Sequence, residues 1–337
     1  MDNYIASNKI FMHPDRIKAY LNNEPVMPIS VKLRLTDNCN LRCKYCSYRG
    51  DLKNGEMSIE DLPKILKRLK ELQVKSIVLT GGEPTFYYNF YEALRMIKKE
   101  GFDVGLITNG VVFGQEFLEH LTWVRFSLDT IDREAFKEMK QMDSLKWVME
   151  NIQVAAQAPR RTGIDTTIGV QAIVNKDNFD YKFDKIIKVI EFAQRAGADY
   201  VQIRPLENYK YTDEEIAILK GNLEMLNKTD YGIKLILTEY KWAEVFNGYR
   251  KEYPGCPSAD FIGMVDTKGD FYMCCAMTND QSAKYGNLVI DDAQTILNER
   301  KFIQKKFDYK KCTLACQGAL LNRTLHRFKN INHVNFI

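Results

Sequence analysis

The feature that most constrains the fold is a regular alternation of short apolar runs with amphipathic stretches between residues 30 and 206. Each apolar run has the length of a buried strand, and each amphipathic stretch has apolar residues at helical spacing. Strands are predicted at residues 29–35, 76–80, 103–108, 123–128, 166–174 and 200–206. Helices are predicted between them at residues 59–72, 90–100, 117–121, 144–157 and 183–196.

Strands that alternate with helices form a parallel sheet covered by helices. Six such units suit an open or partial (β/α)6 barrel better than a closed barrel of eight, so the predicted fold class is α/β. Chemistry in these folds is found at the carboxyl ends of the strands. Several polar segments fall at those ends, including residues 39–46, 81–84 and 108–110.

The regular alternation of strands and helices ends at residue 206. A helix is predicted at 214–226, a strand at 233–237, a helix at 241–250 and a β-hairpin at 261–273 with its turn at 267–270. The predicted organisation is an N-terminal extension (1–29), a partial barrel (30–210), a connecting helix–strand–helix (211–250) and a small α+β domain (251–337).

Composition narrows the class of protein. The 337 residues are 45% hydrophobic and 27% charged, which is typical of a globular chain. The net charge of +4 is spread without a basic block, so we expect no nucleic-acid partner. We expect no membrane span, because no apolar window reaches 18 residues, and no signal peptide, so a cytoplasmic location is predicted. Eight cysteines in a reducing compartment suggest metal ligands or catalytic groups.

Three of these cysteines lie in one loop, as Cys39, Cys43 and Cys46. Thiolates this close together suit zinc or an iron–sulfur cluster. A closed zinc site needs a fourth ligand, and the nearest histidines in the sequence are His13 and His120. Three ligands leave one metal position open for a substrate or cofactor. The alternatives are incidental thiols and a zinc site completed from a distant part of the chain.

The spacing Cys39-x3-Cys43-x2-Cys46, with Tyr45 before the last cysteine, resembles the signature of the radical S-adenosylmethionine (SAM) superfamily. The GGEP sequence at 81–84, after the second strand, strengthens the resemblance, which covers residues 30–206. It implies a [4Fe–4S] cluster held by the three cysteines, with its free iron chelating SAM. Reductive cleavage of SAM would yield a 5′-deoxyadenosyl radical that abstracts a hydrogen atom from substrate. The backbone of Tyr45 would contact adenine.

The same resemblance implies roles for five more residues. Gly81 and Gly82 would let the backbone approach the cofactor closely. Glu83 would bind the ammonium group of SAM through a charge-assisted hydrogen bond. Ser127 and Arg204 are candidates for the ribose and carboxylate of SAM. The alternatives are an ordinary turn for the glycines and ordinary strand-end polar residues for Ser127 and Arg204.

A second cysteine group lies towards the C-terminus. Cys256 is followed by Gly269 and Cys274 at the spacing of the SPASM/twitch tails found on many radical SAM enzymes. Together with Cys312 and Cys316, these thiols suggest a twitch-type domain with one auxiliary [4Fe–4S] cluster. Structural zinc is the alternative. A full SPASM tail needs more cysteines than this chain has.

The remaining thiol, Cys275, is either a buried apolar-type cysteine or a hydrogen-atom donor. Because adjacent side chains on an extended strand point to opposite faces, we expect Cys275 to face away from the Cys274 ligand. As a donor it would serve as the catalytic residue of an epimerase.

The sequence is also compatible with other reactions and substrates. The enzyme could be a dehydrogenase of a sugar or aminocyclitol, or it could modify a ribosomally made peptide. The short segment 1–29 leaves no space for a separate peptide-leader domain, which favours a small substrate. Flavodoxin or ferredoxin is the expected reducing partner. A non-catalytic iron–sulfur scaffold or a zinc-stabilised binding protein is the alternative from another class.

Overall fold

The computed structural model describes residues 6–46, 55–175, 178, 183–206, 209–248, 253, 255–278, 280–309, 312, 316 and 318–330. The strands, numbered along the chain, are β1 (Ser30–Arg34), β2 (Ser76–Thr80), β3 (Asp103–Thr108), β4 (Trp123–Ser127), β5 (Thr167–Val174), β6 (Tyr200–Pro205), β7 (Lys234–Leu237), β8 (Ile262–Val265), β9 (Asp270–Tyr272) and β10 (Lys284–Asn287). They form one sheet in the order β10-β9-β8-β1-β2-β3-β4-β5-β6-β7.

Strands β1 to β7 are neighbours in chain order, and every pair is parallel. Strand β8 adds to the other side of β1, also in parallel, and β9 and β10 continue as an antiparallel meander. The sheet has two edges and is therefore open, which confirms the predicted α/β fold with a partial barrel. Strands on both sides of the predicted boundaries at 210 and 250 belong to this one sheet, and the predicted domain boundaries stay predictions.

The helices are α1 (Ala6–Lys9), α2 (Pro14–Leu21), α3 (Leu62–Glu71), α4 (Phe90–Lys99), α5 (Arg133–Lys140), α6 (Leu145–Thr162), α7 (Asp184–Ala196), α8 (Asp213–Lys228), α9 (Glu239–Asn247), α10 (Ala293–Lys306) and α11 (Gly318–Lys329). Those predicted from the sequence are present. Gly197 follows the last residue of α7 in the left-handed conformation (φ 91°), which glycine adopts readily at the end of a helix.

Some local predictions were wrong. The helix predicted at 59–72 begins only at Leu62, as α3, with Asp61 at its N-cap position and a proline in its first turn, so Ser58 does not cap it. The Ser58 hydroxyl instead accepts a hydrogen bond from the Glu60 N–H (3.2 Å). The short helix predicted at 117–121 is present as a 3-10 helix at Gln115–His120. Helices α1, α2, α5, α10 and α11 were not predicted.

The two faces of the sheet differ in chemistry. Alternate residues on the outer face are fully buried against the helices, among them Val31, Leu33, Ile77, Leu79, Val104, Leu106, Val124, Phe126, Val170 and Ile203. The inner face, on the opposite side, carries polar side chains that are mostly half-buried. The strands of a parallel sheet are usually apolar on both faces, because both faces are covered. The polar side chains on the inner face of this sheet therefore need a functional explanation.

A second, smaller core joins the two ends of the described chain. Ile10, Tyr20 and Val26 from the N-terminal extension pack with Phe261, and with Leu321 and Leu325 of α11. The α10 residue Arg300 donates to the backbone oxygen of Val26 (2.9 Å) and to those of Ala259 and Asp260. The extension is therefore fixed to the cysteine-rich region. None of the helices in the described ranges has the length and apolar character needed to cross a bilayer.

Candidate active site at the carboxyl ends of the strands

The loop that carries Cys39, Cys43 and Cys46 follows β1 and is held by the end of α5. The N–H of Arg42 donates to the Lys140 oxygen, and the N–H of Lys44 donates to the Met139 oxygen, both at 3.1 Å. The last carbonyls of a helix have no partner within the helix, so they can accept hydrogen bonds from another segment. A helix that sequence analysis missed thus positions the three-cysteine loop.

A buried ion pair lies beneath this loop. The Lys140 ammonium and the Asp129 carboxylate are 2.6 Å apart, and their side chains are 4% and 1% exposed. The Tyr45 hydroxyl donates to the same Asp129 oxygen, and the other Asp129 oxygen accepts from the Ile173 N–H (2.7 Å). Burial opposes the charged form of Lys140, but Asp129 and its neighbours hold the lysine pKa well above its usual value. The Tyr45 side chain is therefore fixed by this pair.

The three thiols influence one another. Burial, together with smaller contributions from the Glu83 carboxylate, Cys43 and Cys46, raises the pKa of Cys39 to about 11. Burial also raises the pKa of Cys43, which the Lys140 ammonium opposes. Among the described residues, no three His, Cys, Asp or Glu side chains are arranged to hold a single metal ion.

The residues after β2 pack against the chain that leads to the cysteine loop. Gly81 has a φ of 131°, and a Cβ on it would lie 2.4 Å from the Arg34 side chain. A Cβ on Gly82 would lie 2.1 Å from the Asn38 carbonyl oxygen. Both positions therefore require glycine for backbone packing. The predicted approach of this turn to a cofactor stays a prediction.

Glu83 joins two strand ends. Its Oε1 accepts from the Thr85 N–H (3.1 Å), the Thr85 hydroxyl (2.8 Å) and the Thr108 hydroxyl (2.7 Å). Its Oε2 accepts only from the Asn109 N–H (2.7 Å) among the described residues. Burial raises the Glu83 pKa, although these four hydrogen bonds favour the ionised form. Oε2 keeps capacity for a further donor such as an ammonium group.

Asn109 links Glu83 to the cysteine loop. Its side-chain amide donates to the Asn40 oxygen at 2.7 Å and contacts the Cys39 sulfur at 3.8 Å. Its own amide oxygen accepts from the Val111 N–H (2.9 Å). The ends of β1, β2 and β3 are thus joined in one hydrogen-bonded unit.

Ser127 and Arg204, the predicted ribose and carboxylate residues, lie on the inner face of the sheet. Ser127 is in register with Gln171 on β5, and Arg204 is in register with Ile173 two residues further along that strand. Both side chains are half-buried. They are therefore on the same face and near the same end, and their contact with SAM stays a prediction.

The second cysteine group is gathered from three segments. Cys256 precedes the 3-10 helix Pro257–Asp260, Cys274 follows β9, and Cys316 lies just before α11. Burial raises the pKa of Cys274 and raises that of Cys316 to about 12. The nearby Cys256 also contributes to the rise in the pKa of both thiols. Cys312 also influences Cys316. The four predicted ligands are therefore neighbours.

Asn322 of α11 orients Cys256, and sequence analysis did not identify it. Its amide donates to the Cys256 sulfur (3.5 Å), and its oxygen accepts from the Ser258 N–H (2.6 Å). The Asn322 side chain is 2% exposed. A polar residue among the apolar positions of a C-terminal helix was the available signal.

Cys275 faces the inner side of the sheet. The Lys32 ammonium on β1 donates to its sulfur at 3.2 Å, and Lys32 belongs to the inner face. The opposite-face argument does not apply, because β9 ends at Tyr272 and Cys275 begins a turn. The Cys275 loop is also held by Thr278, whose hydroxyl accepts from the Arg34 guanidinium (3.4 Å).

Comparison with known proteins gives a consistent result. The family model described as Radical SAM superfamily matches residues 33–171. A probable GTP 3′,8-cyclase from Pyrococcus abyssi is 36% identical over 210 residues, which are 59% of this chain and 65% of that protein. A GTP 3′,8-cyclase from Clostridium perfringens is 28% identical over 214 residues, covering 58% of this chain and 64% of that protein. The matches thus span slightly less than two thirds of these relatives.

Two solved structures are similar to most of the chain. SuiB from Streptococcus suis bound to its precursor peptide SuiA has a TM-score of 0.68 at 17% identity, covering 93% of this chain and 74% of SuiB. The anSMEcpe protein with bound AdoMet has a TM-score of 0.59 at 19% identity, covering 87% of this chain and 88% of that protein. At these identities the likeness establishes the fold alone.

Proposed function

Because this chain belongs to the radical SAM superfamily through residues 33–171, we propose that Cys39, Cys43 and Cys46 hold a [4Fe–4S] cluster whose open iron binds SAM. When bound there, the cluster and SAM supply a 5′-deoxyadenosyl radical that removes a hydrogen atom from a substrate carbon. We further propose that Cys256, Cys274, Cys312 and Cys316 hold an auxiliary cluster.

The residues present fit these groups. Three neighbouring thiols on one loop are the ligand set of a cubane with one open iron. Glu83 lies close enough to raise the pKa of Cys39, and its Oε2 has capacity for the SAM ammonium. Ser127 and Arg204, on the inner face, suit the ribose hydroxyls and the carboxylate.

We propose epimerisation of a substrate carbon as the reaction, and the contact between Lys32 and Cys275 is the observation that carries it. A thiol on the inner face can donate a hydrogen atom to a substrate radical from the side opposite to SAM. The Lys32 ammonium donates to this sulfur at 3.2 Å and so orients it towards the inner face.

The step balances with one external reductant. The Cys275 S–H bond breaks homolytically, a C–H bond forms on the inverted carbon, and a thiyl radical remains on the sulfur. One electron and one proton restore the thiol. Flavodoxin or ferredoxin is the class of reductant that would supply this electron, as well as the one that cleaves SAM.

The first test is SAM cleavage by anaerobically reconstituted protein with dithionite. We expect 5′-deoxyadenosine from the wild-type protein and none from Cys43→Ala. About eight irons per chain are expected for two [4Fe–4S] cubanes. Wild-type protein with a full complement of iron that forms no 5′-deoxyadenosine would favour the non-catalytic scaffold.

The epimerase assignment is tested in heavy water with any compound that stimulates 5′-deoxyadenosine formation. The wild-type protein should give an inverted product with one deuterium at the inverted carbon. Cys275→Ala should still cleave SAM but give no inverted, deuterated product. If the alanine variant still inverts the carbon and takes up deuterium, Cys275 is not the donor.

A second candidate is 3′,8-cyclisation of GTP, which the names of the curated relatives favour at 36% and 28% identity. The test is incubation of reconstituted protein with GTP, SAM and dithionite. A cyclised nucleotide would support this candidate over the epimerase. Unchanged GTP, in protein that cleaves SAM, would exclude it.

A further inference from the structure

The inner face of the sheet holds a polar cluster that the SAM site does not use. Its members lie on β4, β5 and β6, where a strand core would otherwise be apolar. Arg125 lies two residues before Ser127 on β4, and Gln171 and Gln202 are in register with each other on β5 and β6. This cluster is therefore deeper in the sheet than the strand ends that carry the cysteine loop.

Arg125 is the charged centre of the cluster. Its guanidinium lies over the Trp123 ring at 5.6 Å and donates to the Gln202 amide oxygen at 2.6 Å. Burial lowers the Arg125 pKa and the positive charge of Arg204 also lowers it, while Tyr200 and Tyr240 oppose the shift. Part of the Arg125 side chain remains accessible. Within the part of the chain that the structure describes, no carboxylate pairs with Arg125. An interior charge without a counter-charge is costly, so an anion is favoured beside it.

Gln171 supplies an independent observation. Its side chain is only 6% exposed, yet its amide oxygen accepts no hydrogen bond from any residue that the structure describes. Its neighbours in register are Ser127 and Gln202. A buried polar atom is normally satisfied, so a donor from outside the described chain is expected at this oxygen. The Gln171 oxygen requires a hydroxyl or an N–H on the strand next to that of Arg125, two residues beyond the residue opposite Arg125.

Two aromatic rings close the floor below the cluster. The Trp123 indole lies over Gly105, where a Cβ would be 2.2 Å from the ring, and the Tyr200 ring lies over Gly169, where a Cβ would be 2.1 Å away. Glycine at both positions lets the rings lie flat on the sheet. The cluster is therefore closed towards the amino ends of the strands, which leaves the carboxyl ends as its opening.

We infer that Arg125 and Gln171 form a substrate subsite for a group that combines an anion with a neighbouring hydroxyl, as in a sugar phosphate or a sugar acid. Arg125 binds the phosphate or carboxylate, with Gln202 fixing the guanidinium, and the Gln171 oxygen accepts from the hydroxyl. This inference rests on the proposed function, because the site faces the carboxyl ends where SAM would be cleaved.

The test is isothermal titration calorimetry of the reconstituted protein, saturated with SAM, against three sugars of the same ring size. Glucose carries hydroxyls alone, glucose 6-phosphate adds a phosphate, and glucuronate adds a carboxylate. We expect at least one charged sugar to bind roughly tenfold or more tightly than glucose, because hydrogen bonds to charged groups are the stronger ones. The tighter of the two identifies the anion as phosphate or carboxylate.

Two variants and a matched control assign the effect to the subsite. Arg125→Gln should remove the preference for the charged sugar, a loss of roughly tenfold or more, and Gln171→Leu should weaken all three sugars roughly 2- to 10-fold. Arg95→Gln is the control, since Arg95 also lies over an aromatic ring, Tyr91 at 5.9 Å, but on a helix. It should leave binding unchanged. Far-UV circular dichroism and iron content identify any variant that fails to fold.

Two results would overturn the inference: charged sugars that bind no better than glucose, or Arg95→Gln weakening them as much as Arg125→Gln. Wild-type protein that cleaves SAM but binds neither charged sugar refutes the subsite alone. Wild-type protein that binds a charged sugar with the expected dependence on Arg125, but forms no 5′-deoxyadenosine, refutes the proposed function alone.

Discussion

Replacing Asp129 with asparagine tests whether the buried ion pair beneath the three-cysteine loop holds that loop in place. The Asp129 and Lys140 side chains are almost fully buried, and the backbone oxygen of Lys140 accepts a hydrogen bond from the loop at Arg42. The asparagine would retain the bond from the Ile173 N–H but would leave the Lys140 ammonium buried without its counter-charge. We therefore expect both the free energy of unfolding and the iron content of the loop to fall.

The size of the loss follows from the charge left behind. Removing one partner of a buried ion pair typically costs about 3–5 kcal/mol. Lysine can escape part of this cost by losing its proton, which limits the penalty at pH 7 to about 4.6 kcal/mol for an ammonium of ordinary pKa. Lys140→Met should cost less, about 2–3 kcal/mol, since the remaining Asp129 carboxylate still accepts from Ile173 and Tyr45.

The assay is anaerobic urea unfolding followed by circular dichroism, together with iron analysis of the reconstituted protein. The double variant Asp129→Asn, Lys140→Met contains no buried charge, so it should be more stable than Asp129→Asn alone. The two substitutions should therefore be coupled by about 2 kcal/mol or more. Lys137→Met is the control, because Lys137 is exposed on the same helix and should change stability by less than about 0.5 kcal/mol.

Either of two results would refute the reasoning: an Asp129→Asn protein as stable as the Lys137→Met protein, or single-variant losses that simply add in the double variant. The pH dependence gives a further check. A lysine pKa that is higher in the folded than in the unfolded state contributes stability below about pH 10.4, the ordinary lysine value. That contribution is lost as pH rises through the folded pKa, so the wild-type advantage over Asp129→Asn should shrink only in the alkaline range.

Three other predictions concern single positions. Gly82→Ala should destabilise the protein by about 3 kcal/mol or more in urea unfolding, because its Cβ would collide with a backbone oxygen 2.1 Å away; stability within 0.5 kcal/mol of wild type would contradict the packing described for this turn. Asn322→Leu should lower the iron content below eight per chain while leaving the iron of the Cys39 loop in place, since its amide orients Cys256; a full iron content would argue against that role. Glu83→Gln should cost about 1–3 kcal/mol, because one of the two carboxylate oxygens becomes an N–H₂ group that cannot accept, so either the Thr108 hydroxyl or the Asn109 N–H loses its acceptor. An unchanged urea midpoint would contradict the four-bond arrangement.

Much of the fold could be predicted because, in its central part, the hydrophobic period and the length of each segment indicate the same type of secondary structure. The runs that became β1 to β7 are short and apolar, and the helices between them have clear apolar spacing, so local pattern and tertiary structure favour the same result. The polar side chains at the strand ends could likewise be placed on one edge, since parallel strands share a direction. The contacts that Asn109 makes with Glu83 and Cys39 then follow from that edge.

The contacts that fix the site depend on residues whose sequence pattern indicated something else. Lys140 occupies a core position beside Phe136 and Met139 on α5. In the sequence, a lysine at this position indicates that the apolar side of the helix has ended. Its partner Asp129 lies eleven residues away on a strand end, so the pairing requires the tertiary structure. The same holds for Lys32, which looks like the polar side of an alternating strand and contacts a sulfur 243 residues away.

Strand β1 explains how two cysteine groups distant in sequence can serve one reaction. It is paired with β2 on one side and β8 on the other, so it joins the part of the sheet followed by the GGEP turn to the part that carries the second cysteine group. The loop beyond its carboxyl end holds Cys39, while Lys32, seven residues earlier, contacts Cys275. Seven residues span at most about 25 Å, so Cys39 lies within that distance of the backbone of Lys32, whose ammonium contacts Cys275. If β1 fixes this separation, Lys32→Met should reduce deuterium transfer from Cys275 to substrate without lowering 5′-deoxyadenosine formation, and equal losses of both would mean that Lys32 acts on the whole site rather than on the thiol.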